Sequence, residues 1–126
     1  MLEQDVPVWY RFLERESGRF VALYYDSFLG GPYLTPSEED DPFKRMWRAN
    51  TAKRTDAIAE LENEVWLIEV SDRPGMRAIG QMMVYQTLWL EDPSIDKLER
   101  LVIVASAFDA DIAAAAGKLG ILVFIA

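Results

Sequence analysis

The stretches Arg54-Thr55-Asp56, Trp66-Leu67-Ile68-Glu69-Val70-Ser71 and Gln81-Met82-Met83-Val84-Tyr85 govern the architecture of this chain. Residues 55–60 and 64–70 are rich in apolar and β-branched side chains and read as two strands. Glu62-Asn63 between them suits a tight turn, so the two strands form a hairpin. Asp56 opens the first strand and Glu69 lies near the end of the second. The midpoint of positions 56 and 69 falls at that turn. The two carboxylates are therefore cross-strand neighbours, with Cβ atoms roughly 5 Å apart. Glu69 interrupts the apolar run Val65-Trp66-Leu67-Ile68 before Val70, and alternation puts it on the same face as Val65 and Leu67. A carboxylate there is costly unless paired or metal-bound. Two carboxylates this close repel unless a cation or proton sits between them. A purely structural ion pair of Arg54 with Glu69 or Asp56 is the competing reading.

Residues 76–90 read as a largely buried helix, because Ile79, Met82, Met83 and Tyr85 to Trp89 wrap widely around it. Glu91-Asp92-Pro93 stops it. Gln81 and Tyr85 are four residues apart and share one face. Either Tyr85 is a buried tyrosine satisfied by a polar neighbour, or Gln81 faces a metal site or a nucleotide. Residues 100–106 form a near-continuous apolar run, expected of a strand covered on both faces. Asp109 or Asp111 caps an alanine-rich helix that ends at Gly117–Gly120, and close helix–sheet packing accounts for its alanines. Residues 121–125 are a last apolar strand. Strand, helix, strand in this order implies a parallel pair with a right-handed crossover.

Upstream, Pro7 suits the first turn of an amphipathic helix over residues 7–16, ended by Gly18. Residues 19–25 read as a strand. Gly30, Gly31, Pro32 and Pro36, with the acidic Ser37–Asp41 run, make a long loop suited to motion or partner binding. Pro42 opens a short helix through Asn50. Trp9, Trp47, Trp66 and Trp89 belong with the core. The whole is an α/β chain, one domain over residues 1–126. Its central mixed sheet consists of the hairpin plus a βαβ unit, flanked by helices.

The 126 residues suffice for one hydrophobic core, and a hydrophobic fraction of 51% excludes a disordered chain. No run approaches the roughly 20 apolar residues of a membrane span, and no secretion leader is evident. The chain contains no Cys and no His. Any metal must then be held by oxygen, which favours magnesium, manganese or calcium. The net charge of −8 lacks the overall basic balance of a DNA-gripping protein. Lys44, Arg45, Arg48, Lys53 and Arg54 form a local basic cluster that also suits a solvated helix face.

In this arrangement, Asp56 on one strand, Glu69-Val70-Ser71 on the next and Gln81-x-x-x-Tyr85 on a following helix, the chain resembles the PD-(D/E)XK nuclease superfamily, in particular its RecB-like branch. The resemblance covers roughly residues 50–125. It implies a restriction-endonuclease-like fold and Mg²⁺ held by Asp56, Glu69 and the Glu69–Val70 backbone carbonyl. Glu14 or Glu16 on the first helix is the extra acidic ligand it implies, with Glu16 the favoured one. It implies catalytic roles for Asp56, Glu69, the residue at Ser71, Gln81 and Tyr85. The family has a lysine where this chain has Ser71. Arg73, Lys53 or Arg54 could bring a substitute charge, although arginine cannot serve as a base. Three functions follow: a non-catalytic structural or interaction subunit of that fold, an active magnesium-dependent DNase, or a nucleic-acid binder without cleavage. Small proteins of this look resemble products of tailed-phage genomes. A neck or tail component, in the host cytoplasm or the virion, with other protein subunits or further copies as partners, is the leading expectation.

Overall fold

A computed structural model describes residues 1–30, 36–51 and 53–126, with the side chains of residues 47–51 and 53 outside the description. The strands are β1 (Ala22–Tyr25), β2 (Phe28–Leu29), β3 (Lys53–Arg54), β4 (Ala57–Glu60), β5 (Glu64–Val70), β6 (Leu98–Ala105) and β7 (Leu122–Ile125). The helices are α1 (Val6–Glu16), α2 (Pro36–Glu39), α3 (Pro42–Thr51), α4 (Met76–Glu91) and α5 (Ala110–Lys118). The main sheet has five strands in the order β1-β4-β5-β6-β7, and β2 and β3 make a separate two-stranded ladder. β1, β4 and β5 run antiparallel, while β5, β6 and β7 are parallel. This is the mixed sheet expected from a hairpin joined to a βαβ unit.

The hairpin register follows from its turn. The Leu61 amide donates to the Glu64 carbonyl at 2.8 Å, closing a two-residue loop at Glu62-Asn63. Ala57 then pairs with Ile68 and Ala59 with Trp66. Period-2 alternation sorts β5 into two faces. Val65 and Leu67 join Met82, Tyr85 and Trp89 of α4 in one core, with Leu101 and Ile103 of β6. Trp66, Ile68 and Val70 join Val8, Trp9 and Phe12 of α1 in the other. Parallel strands covered on both faces read as continuous apolar runs, which is why Leu101 to Ala105 are all buried. α5 lies on the α4 side, where Ala116 and Ile121 enter that core.

Several expectations need correction. The strand expected over 55–60 is broken at Thr55-Asp56. The Asp26 amide donates to the Asp56 carbonyl and the Thr55 amide donates to the Ser27 carbonyl. Asp26 itself has a left-handed backbone, φ 49°. That kink ends β1 and diverts Phe28-Leu29 onto Lys53-Arg54 as a separate ladder. The strand expected over 19–25 starts only at Ala22, because Ser17–Arg19 form a 3-10 turn after α1. The alanines of α5 do not form a buried stripe, since Ala116 is its one buried residue. Asp109 occupies the N-cap position of α5 without a capping side-chain bond. Trp9, Trp66 and Trp89 are core residues as expected. Trp47 falls outside the description, as does most of the Gly30–Pro36 loop segment.

Candidate functional site

Extending the hairpin register past Ala57↔Ile68 sets Asp56 opposite Glu69. Asp56 follows the parity of Ile58, and Glu69 that of Leu67, so both face α4. Above them is a cavity of about 680 Å³. Asp56, Glu69, Val70, Ser71, Gln81 and Tyr85 all line it. Arg54, Arg73 and Arg77 line it as well, and all three are exposed. It opens at the carboxyl end of β5, where β5 gives way to the turn before α4. Open α/β sheets bind ligands at such ends.

The local bonds hold the acids in place. The Val70 amide donates to Asp56 Oδ2 at 2.8 Å, locking the Asp56 side chain across the hairpin. The Val70 group that meets Asp56 is thus its N–H, a donor, and not the carbonyl expected to hold a metal. The amino group of Met1 lies 2.9 Å from Asp56 Oδ1 and 3.8 Å from Asp26, and its hydrogen bond to Asp56 raises its pKa. The Ser71 amide donates to Val104 at 3.0 Å, which continues the parallel ladder and leaves the half-buried Ser71 side chain at the cavity wall.

Glu69 is the group under most stress. Its Oε2 is buried and has no hydrogen-bond partner. Burial, first, and the neighbouring Asp56 charge, second, push its pKa up to about 8. Both causes favour the protonated form of Glu69 unless a cation takes the proton's place. Strongly perturbed carboxyls in a cleft mark candidate functional sites. Tyr85 donates to the Arg54 carbonyl at 3.1 Å, and burial, followed by the Glu69 and Asp56 charges, raises its own pKa well above the usual phenol range. The polar-neighbour expectation for Tyr85 is thus met by a backbone carbonyl. Tyr85→Phe should cost about 1–2 kcal/mol of folding stability, because the Arg54 carbonyl loses its buried donor. Urea unfolding of the two proteins measures this.

The structure does not bring Glu16 to the site. Glu16 sits at the C-terminal end of α1, which is about 16 Å long, and accepts from Arg19 at 2.9 Å. Glu14 is exposed and is not among the cavity residues. The acid that does approach from this segment is Asp5, at the other end of the helix. Asp5 is buried, lines the cavity and accepts from the Asp72 amide at 2.9 Å. Its position before Val6-Pro7 looks like a helix cap in the sequence, yet it makes no capping bond and holds the end of β5 instead. Among the described residues no group of three acidic side chains is placed to hold a metal ion, so any cation here rests on Asp56 and Glu69. Arg77, in the first turn of α4, lines the cavity, carries no motif signal and is visible only in the fold.

The chain is a single-domain α/β protein with a mixed five-stranded sheet between helices, carrying an acidic pair under an arginine rim. Comparison with protein-family models, with curated proteins and with solved structures returned no match. Among the described residues no helix is long and apolar enough to cross a membrane.

Proposed function

We propose that this protein is a PD-(D/E)XK nuclease-like domain that binds a divalent cation and a phosphodiester but has lost most of its capacity to cleave. The observation that carries this reading is the buried, partnerless Glu69 Oε2 opposite Asp56 on the floor of an arginine-rimmed cavity. The donor set fits a hard cation: it is all oxygen, and Mg²⁺ commonly takes one or two carboxylates and completes its shell with water and phosphate. When bound, such an ion activates water and offsets charge on phosphate. The chain's own residues do the rest. Asp56 is oriented by the Val70 amide; to admit the ion, the Met1 ammonium leaves Asp56 Oδ1 and Glu69 gives up its proton. Arg54, Arg73 and Arg77 suit the planar two-point contact of guanidinium with phosphate. Gln81 adds a neutral donor at the same wall. Ser71 supplies no charge, which is the reason cleavage is expected to be weak. Terbium luminescence or calorimetry with Mg²⁺ tests the site: uptake that is lost in Asp56→Ala is the expected result. Uptake that survives Asp56→Ala, or no uptake by the native chain, overturns it.

Phe43 and Met46 favour a second reading, a subunit of a larger assembly such as a tailed-phage neck or tail. They are 82% and 61% exposed, three residues apart on α3, and exposed apolar groups in proximity mark association surfaces. Light scattering that returns only a monomer at high concentration counts against self-assembly.

A further inference from the structure

We propose that a second hollow, on the far side of Asp56, takes an unpaired nucleobase from a strand whose phosphate lies at the acidic pair. The inference rests on the phosphodiester reading above and names the substrate class: single-stranded or frayed nucleic acid, with duplex disfavoured. The hollow measures about 270 Å³ and is lined by Val6, Trp9, Tyr10, Tyr25 and Asp26, together with Met1 and Asp56. Those last two residues also line the larger cavity, so the two spaces adjoin at Asp56. Met1 and Asp56 form the wall that the two spaces share, so a ligand that displaces the Met1 ammonium can place a phosphate in one and extend its next group into the other.

The walls have the chemistry of a stacking platform. Tyr10 is 62% exposed and Tyr25 is 51% exposed, yet Tyr25 is fixed. The buried Trp9 donates from Nε1 to the Tyr25 hydroxyl at 3.0 Å, and the two rings meet edge-on at 6.0 Å and 84°. Trp9 is itself stacked on Phe12 at 5.3 Å. An exposed ring already immobilised by the core loses little freedom when a base stacks on it. Asp26 stands at the rim with a 57% exposed side chain, on a left-handed backbone that L side chains rarely adopt. Its Oδ1 lies 3.8 Å from the Met1 ammonium, and its exposed carboxylate offers an acceptor to the exocyclic amine of cytosine or adenine. Hydrogen bonding and charge therefore sort the ligand, the base beside Asp26 and the backbone beside the arginines. A paired base reaches the hollow only after unstacking and flipping, which penalises duplex.

The test is fluorescence anisotropy in Ca²⁺, comparing a short labelled oligodeoxycytidylate with a blunt duplex of equal length. The native protein should hold the single strand more tightly. Tyr10→Ala should weaken that binding on the order of tenfold and leave the duplex unchanged, while Tyr10→Phe, which keeps the ring, should bind as the native protein does. Equal affinity for both ligands with no loss in Tyr10→Ala, or no binding of the single strand, overturns the proposal. Terbium luminescence, with Asp56→Asn as its control, reads the acidic pair separately. Metal uptake without a Tyr10 effect sinks the base site alone. Absent uptake with a surviving Tyr10 effect sinks the metal reading and retains the base site.

Discussion

Ser71→Lys should raise magnesium-dependent cleavage of DNA by about 10²–10³-fold over the native chain, the range typical for one preorganised charge-stabilising donor. The geometry allows the gain. Ser71 follows Glu69 by two residues, so its side chain leaves the strand on the same side, roughly 7 Å further along. It already lines the cavity, and its backbone is held by the bond to Val104. A lysine stem can follow the cavity wall and set its ammonium beside the carboxylate pair. The added charge also favours ionised Glu69, and with it the form that accepts a metal. Because Ser71 is half-buried at an open site, the substitution should change stability little. Cleavage of plasmid and linear DNA with Mg²⁺ or Mn²⁺ is the measurement, with Ser71→Lys combined with Asp56→Ala as the control. Activity that survives in the double variant belongs to a contaminant or another site. A Ser71→Lys protein that binds Mg²⁺ yet remains as inert as the native chain would remove the argument for nuclease ancestry.

The acidic pair was legible in the sequence for a specific reason. A two-residue turn and a period of two leave a hairpin almost no freedom of register, so locating Glu62-Asn63 also located Asp56 opposite Glu69. The partial burial of Glu69 followed from the same parity, because Val65 and Leu67 could only point into a core. The long helix after it was legible from its wide apolar surface. Glu16 and Asp5 show where such reasoning stops. Helical periodicity assigns a residue to a face, but does not say which end of the helix meets the site. Asp5 was hidden for the further reason that a carboxylate bonded to a distant backbone amide looks, locally, like a cap. The β2–β3 ladder has two residues per strand, too few to carry any period, and it depends on the left-handed turn at Asp26 that no side-chain pattern announces. The arginine rim was only partly visible. Arg54 and Arg73 stood near the acids in sequence, whereas Arg77 joins them only because α4 begins at the cavity.

Glu69 ties metal uptake and folding stability to one proton, and the two should move in opposite directions with pH. In the unfolded chain this carboxyl titrates near 4.5, and in the fold its pKa lies at about 8, with burial the main cause and Asp56 the second. Between those values the folded protein holds more of the proton than the unfolded one does. Stability from this group is therefore complete below about pH 4.5 and is lost as pH rises through 8. Each tenfold change in proton affinity is worth about 1.4 kcal/mol, so the loss is on the order of a few kcal/mol. Metal uptake requires the proton to leave, so apparent Mg²⁺ affinity should rise about tenfold per pH unit up to pH 8 and then level off. Urea unfolding across this range, with and without Mg²⁺, reads both effects, because the ion should restore at alkaline pH the stability that ionisation removes. Glu69→Gln keeps the shape and cannot ionise. It should be more stable than the native chain above pH 8, lose the slope between pH 5 and 8, and bind Mg²⁺ weakly at every pH. A native protein whose stability and affinity are both flat from pH 5 to 9 would show that Glu69 is ionised throughout. The partnerless oxygen opposite Asp56 would then be satisfied by something other than a proton or a metal.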